Sequence, residues 1–415
     1  MSYARVPAMT RARAAGGAGR GQPEPHPRRR SPLGRCGVAL VGTVVIAHGA
    51  IHLLGAAKGL GWAVVPQLAR PIGPLLGAGW LLAALLTISA GALLVTSVGW
   101  WWVVGAPAAL VSEAVILSDW SDAAFGTLAN VLLAAAVTYA YAAHGPHSFV
   151  REYQRRAGEA LRTSISSSGA VRGDEGADLT EAALDSVPAP VARYIRQSGA
   201  VGKPQVGSFR AIIHGKIRSG PGKPWMRFTG EQVNTFGPVP DRYFKMDATM
   251  ARVPVDVLHV FAGDTATMRV RLCSLLPLVN ASGPELARAE TVTLLNDMCV
   301  MAPSALAAAN ITWTVLDDHR VQATFTRRGL TVTGDLVFND RDQLVNFTSG
   351  DRYAASADGK AFRRRRWSTP LQGYRSFHGR TISARGQACW HMPEPEGQFA
   401  YLEFRVDEIT YQAAG

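Results

Sequence analysis

Hydrophobic patterning divides the chain into two textures. From residue 36 to residue 143 apolar side chains run almost unbroken, and the only acids and bases other than His are Lys58, Arg70, Glu113, Asp119 and Asp122. From Gln205 onward the apolar positions fall on alternate residues, in short runs separated by turn residues. The first texture belongs to helices that cross a bilayer. The second belongs to antiparallel strands with one buried face.

Four spans fit the apolar block. The first covers residues 36–57 and ends at Lys58. Residues 71–112 then contain no acid, base or His over 42 positions. As one helix they would be roughly 63 Å long, about twice the hydrocarbon core, so they must fold back. Thr96-Ser97-Val98-Gly99 supplies the turn, giving spans at 75–95 and 101–117, and the fourth covers 123–143. Thirteen runs between Gln205 and Tyr411 read as strands, among them 265–274, 343–349, 362–367 and 373–377. One helix interrupts them at 283–301. Ser282-Gly283-Pro284-Glu285 has the spacing of a capping box. Leu286, Ala289, Val292, Leu295, Met298 and Cys299 recur at helical spacing as an amphipathic face, and Pro303 ends the helix. A long antiparallel sheet with one such helix predicts a curved sheet wrapped around it, with room for an apolar cavity between them. The predicted fold class is a multi-pass α-helical membrane domain with four transmembrane helices, followed by an α+β domain.

These readings divide the chain into a basic tail (1–35), a transmembrane domain (36–145), a charged helix with a Ser/Gly linker (146–184) and a β-rich domain (185–415). The tail carries eight Arg against the single acid Glu24 and too few large apolar residues to order itself. It is neither a secretory leader nor a lipoprotein signal, since no apolar segment precedes Cys36 and no cleavage site follows the first span. The chain's net charge of +12 is read as topology marking rather than nucleic-acid binding. Arginine flanks the first span on its N-terminal side and the fourth on its C-terminal side, whereas the loops between carry only Lys58 and Arg70. Both termini are therefore expected in the cytoplasm of an inner membrane. The four cysteines lack CxxC spacing, which excludes a zinc ribbon or thioredoxin-type site and points to free thiols.

Polar residues within spans carry the most information. His48 and His52 share a helix face, and the predicted topology gathers them with Glu113, Asp122 and Asn130 toward the outer leaflet. Interhelical hydrogen bonding is the simplest use of such a cluster. A metal ion, a proton path or a bound headgroup would draw on the same groups, but no metal or cofactor is assigned. In the β-rich part there is no GxSxG, P-loop or GxGxxG, and His214, His259, His319, His378 and His391 are scattered. Glu290 reads as a solvated or hydrogen-bonded helix position, with a place facing the cavity as the alternative. Arg363-Arg364-Arg365-Arg366 reads either as a solvated edge strand blunted against aggregation or as a contact with anionic headgroups.

Three places resemble a family of bacterial membrane proteins of unknown function: His48-Gly49-Ala50-Ile51-His52-Leu53-Leu54-Gly55; Trp120-Ser121-Asp122 through Asn130; and, in the soluble part, Ser282-Gly283-Pro284-Glu285-Leu286 with Glu290, and Trp367-Ser368-Thr369-Pro370 with Tyr374-Arg375. The resemblance implies an architecture and no activity. The sheet-and-helix pattern is also similar to the periplasmic lipoprotein-carrier half-barrel, which holds acyl chains, although the expected topology places this module in the cytoplasm. Function is accordingly expected to be binding of a lipid or another apolar ligand by a domain held at the bilayer. The alternatives are a membrane enzyme or transporter built on the His/Glu/Asp cluster, and a scaffold for a protein partner.

Overall fold

The computed structural model describes residues 32–169, 177–355 and 361–414. Eight α-helices and thirteen strands follow one another in these residues. The helices are α1 (Pro32–Gly59), α2 (Pro74–Val95), α3 (Trp101–Ser118), α4 (Trp120–Ala123), α5 (Gly126–His144), α6 (Phe149–Gly169) and α7 (Ala189–Gln197). The strands β1 (Val206–Ile217), β2 (Met226–Thr235), β3 (Asp241–Met250), β4 (Val253–Ala262), β5 (Thr265–Leu272) and β6 (Leu276–Ser282) come next, then α8 (Pro284–Met301). The chain closes with β7 (Ile311–Asp317), β8 (Arg320–Arg327), β9 (Leu330–Phe338), β10 (Leu344–Ala355), β11 (Phe362–Phe377), β12 (Arg380–His391) and β13 (Gln398–Ala413). The tail expected to be disordered lies outside the described residues except at its end, where α1 already begins at Pro32.

Four helical segments, Cys36–Gly59, Pro74–Val95, Trp101–Ser118 and Gly126–Ser164, are long and apolar enough to cross a membrane. The long apolar run folds back where predicted, with Ser97 in the left-handed region (φ 61°) between α2 and α3. Close approach of α1 and α2 depends on missing side chains. A Cβ on Gly91 would sit 2.9 Å from the Gly42 carbonyl oxygen, and one on Gly59 2.5 Å from the Gly77 Cα. Small residues of this kind let apolar helices pack backbone to backbone.

Of the stretch expected as a Ser/Gly linker, residues 163–169 are instead the C-terminal end of α6, and residues 170–176 lie outside the described residues. Phe149, Tyr153 and Ala157 on α6 pack against Val233, Tyr243, Leu258 and Val260 on the outer face of the sheet. Arg269 Nη2 donates to Glu152 Oε1 at 2.6 Å, and the Arg271 guanidinium lies 4.2 Å from the Phe149 ring centre. The bundle therefore passes into the β-domain through a docked helix.

All thirteen strands form one antiparallel sheet in the order β6-β5-β4-β3-β2-β1-β13-β12-β11-β10-β9-β8-β7. Pairing of β1 with β13 joins the two ends of the domain. The sheet curls until strands distant in that order meet. Arg327 at the end of β8 donates to the carbonyls of Pro240 (2.6 Å) and Gly263 (2.7 Å) and to Asp241 Oδ1 (2.8 Å), clasping the turns before β3 and after β4.

Inside the curl lies α8. The sequence pattern predicts an amphipathic helix, but α8 is buried on nearly every side, including Glu290, Thr291, Asn296 and Asp297. A helix enclosed by a half-barrel has little solvent face left. The predicted capping box is not formed. Ser282 closes β6, and Gly283, at φ 124°, is the N-cap with no side-chain cap bond. That backbone conformation is open to glycine and strained for other residues. Leu294 and Leu295 on α8 and Phe347 on β10 are fully buried in the shared core.

Candidate functional site

The curl holds more space than α8 fills. A cavity of about 400 Å³ lies between α8 and the concave face of the sheet, within the size range of small-molecule sites (~300–1,000 Å³). Strand alternation builds its apolar walls: Ile213 and Ile217 of β1, Phe228 of β2 and Phe404 of β13 face Leu286 and Val300 of α8. Its two ends differ in chemistry.

The inner end is an ion cluster. Arg242 of β3 donates from Nε to Asp297 Oδ2 (2.8 Å) and from Nη1 to Glu290 Oε2 (3.0 Å). Glu290 and Asp297 lie seven residues apart on one face of α8. Gln232 Nε2 and Asn234 Nδ2 of β2 also donate to Asp297 Oδ2, at 2.7 and 3.2 Å. His259 Nδ1 is 3.7 Å from Glu290 Oε1. Burial raises the Glu290 carboxyl, but Arg242 and His259 outweigh burial and hold it well below the usual carboxylate range. At Asp297 burial outweighs Arg242 and raises the carboxyl. Burial likewise pushes the Cys299 thiol up, which removes it as a nucleophile.

The outer end of the cavity meets one rim of the sheet. By register, the turns between β1 and β2, β3 and β4, β5 and β6, β10 and β11, and β12 and β13 line this rim. Ser219, Tyr353, Phe362 and Tyr401 line the cavity there. The end of α5 reaches the same rim, where Ala142 and Ala143 face Asp256, Arg271 and Ser274 across a small cleft. The neighbouring turns expose Met250, Leu275, Leu276 and Leu278 to the outside.

In the helical bundle the structure brings together four of the five singled-out polar residues. His52 Nε2 lies 2.6 Å from Ser112 Oγ, and His48 Nε2 lies 3.1 Å from Asn130 Oδ1 and 3.2 Å from Ser112 Oγ. Ser112 donates to Asn130 Oδ1 at 2.9 Å, and Asn130 Nδ2 donates to Glu113 Oε2 at 2.8 Å. Since Asn130 Oδ1 only accepts and the Ser112 proton is already used, both His residues serve as Nε2–H donors. Thr127 completes the chain at Glu113 Oε1 (2.9 Å). Asp122 does not join it and instead accepts from the Ala69 backbone N–H. Among the described residues no three His, Cys, Asp or Glu side chains gather as a metal set.

β11 is an interior strand, but Arg363, Arg364 and Arg365 pair with β10 alone, and the ladder to β12 starts at Arg366. Arg364 is tied to buried Asp351 at 2.6 Å, and Arg365 is half-buried. Arg363 and Arg366 are exposed. Sequence reasoning placed Glu290 on the helix but missed Arg242, Asp297, Gln232 and Asn234. The available signal was two acids seven apart in an otherwise apolar helix, and two amides at alternate positions of one strand.

Among the described residues Arg242 is the sole guanidinium bonded to both buried acids. We expect Arg242→Met to destabilise the full chain by ~3–5 kcal/mol, because two buried carboxylates lose their partner. Adding Glu290→Gln and Asp297→Asn should recover most of that loss. Denaturant unfolding in detergent, followed by the near-ultraviolet signal of the domain, checks both.

Three solved structures align with part of this chain. A DUF1329 family protein from Desulfovibrio piger aligns at 12% identity over 57% of this chain and 94% of its own, with a TM-score of 0.33. A putative outer membrane lipoprotein-sorting protein domain from Vibrio parahaemolyticus aligns at 8% identity over 50% and 86%, at 0.30. A LolA superfamily protein from Nitrosomonas europaea aligns at 11% over 54% and 93%, at 0.27. Likenesses at these scores bear on neither ligand nor mechanism. No curated protein matches the chain. Residues 177–404, more than half of the chain, match a family of unknown function, and the motifs at His48–Gly55 and Trp120–Asn130 lie outside that match. This chain belongs to the family of unknown function DUF6544.

Proposed function

We propose that this is an integral membrane protein whose β-domain binds a lipid or another apolar ligand in the cavity between α8 and the concave sheet. The cavity carries the proposal: apolar walls enclose a volume suited to a small molecule, and the ion cluster at its inner end is already satisfied. The bundle supports a position in the bilayer, because large apolar side chains such as Leu40, Ile51, Leu75, Leu110, Leu128 and Val131 are exposed around it. The exposed leucines of the β5–β6 region lie at the rim reached by α5, next to the cavity's outer end, which suits exchange of a ligand with the bilayer. The exposed guanidiniums of Arg363 and Arg366 suit contact with anionic headgroups. The hydrogen-bonded chain from His52 to Thr127 is read as the glue that fixes α1, α3 and α5 against one another.

Native mass spectrometry of the full chain, extracted from its membrane in mild detergent, tests the ligand. We expect a copurified species of lipid mass, lost severalfold in Ala289→Phe, which fills the cavity from α8. An unloaded wild-type protein, or equal loading of the variant, contradicts the proposal. Orientation is tested separately. The arginine distribution of the sequence places both termini in the cytoplasm, so alkaline phosphatase fused after Gly415 should be inactive. An active fusion reverses the orientation and puts the domain on the outer side.

A further inference from the structure

We propose that the cavity takes an amphiphile with an acid group, a carboxylate or phosphate on an apolar chain, and that Arg352 holds that group. This rests on the cavity being the binding site and names the class of its ligand. Charge leads to it first. The cavity wall carries three arginines, Arg218, Arg242 and Arg352, against two acids, Glu290 and Asp297. Both acids are bonded to Arg242. Among the described residues neither Arg218 nor Arg352 has an acid within ion-pair distance. The wall thus holds one positive charge more than its acids, with Arg352 acting on Glu290 only from beyond ion-pair distance, and in apolar surroundings an anion is welcome there.

Hydrogen bonding singles out Arg352. It stands near the end of β10 at the rim, with its guanidinium 4.4 Å from the Trp367 ring centre and 5.7 Å from that of Trp390. One amino group donates to Thr293 Oγ1. The Nε–H is buried without a partner. Rings that pin the guanidinium plane leave its edge as the binding element, the geometry suited to a carboxylate or phosphate. Two further cavity-lining atoms are buried and unpartnered, Thr369 Oγ1 and Asn296 Oδ1. Thr369 stands two residues after Trp367 on β11, on the same face of the strand. A buried polar group without a partner needs an explanation, and in a cavity wall a bound ligand supplies one. A neutral hydrocarbon gives the Arg352 guanidinium no acceptor. An acid placed there does, and leaves its chain to run inward along Phe228 and Phe404.

The test uses the full chain in nonionic detergent, titrated by native mass spectrometry with oleate and oleyl alcohol, which share a chain and differ in the acid. A second pair, lysophosphatidate and monoolein, separates phosphate from carboxylate. Wild-type protein should prefer the acid member of at least one pair by tenfold or more. Arg352→Gln should abolish that preference while the neutral member binds within twofold of its wild-type level. Equal wild-type affinity for acid and neutral members overturns the proposal, and this arm holds whether or not the variant folds. A preference that survives in a folded Arg352→Gln also overturns it. Binding of none of the four probes would instead remove the cavity reading itself.

Discussion

A curled sheet must cover its concave face, and here a single helix does so. Thirteen strands turn one face inward, and α8 enters that space with almost no solvent exposure of its own. Leu295 and Phe347 pack so closely at β9 and β10 that Gly334 has no room for a side chain: a Cβ there would sit 2.4 Å from the Phe347 ring. On the other side Arg242, Gln232 and Asn234 reach α8 through polar bonds to Glu290 and Asp297. Packing fixes one flank of the helix and charge fixes the other. The remaining gap, toward β1, β2 and β13, is the cavity. Its existence follows from a sheet too wide for one helix to fill, so the apolar lining there needs another occupant or must stay dry.

Two polar networks occupy apolar surroundings in this chain, and they are built alike. In the bundle, His48, His52, Ser112, Asn130, Glu113 and Thr127 answer one another across three helices. In the domain, one arginine answers two carboxylates. These bonds suit both networks to fixing geometry, since each partner would be costly alone, although His52 Nδ1 has no partner. Arg352 differs from Arg242: it is a guanidinium in the cavity wall with a buried donor left over.

Much of the architecture is written in local patterns. The apolar runs mark the four long helices to within a few residues, and period-two alternation marks most strands. Prolines account for two errors. β6 contains Pro277 and lacks alternation, and it escapes a pattern search because an edge strand tolerates a missing N–H. β11 reads as two strands around Pro370, but it continues through that residue, where no ladder pairs join it to β12 at Thr369 and Pro370. The Ser-rich end of α6 reads as a linker because Ser and Gly favour turns over helix, yet it continues a helix whose earlier turns pack on β2, β3 and β4. The site was least legible. Glu290 and Asp297 are visible as acids in an apolar helix, but their bond to Arg242 spans about fifty residues of sequence, and nothing local announces it. Arg352 carries no sequence signal beyond its neighbours on the rim.

A density map of the full chain, isolated from its native membrane and imaged by single-particle electron microscopy, addresses the central claim directly. The account predicts an elongated density between α8 and the concave sheet, running from Arg352 at the rim along Phe228 and Phe404. A cavity that is empty, or closed by collapse of its apolar walls onto α8, would contradict it.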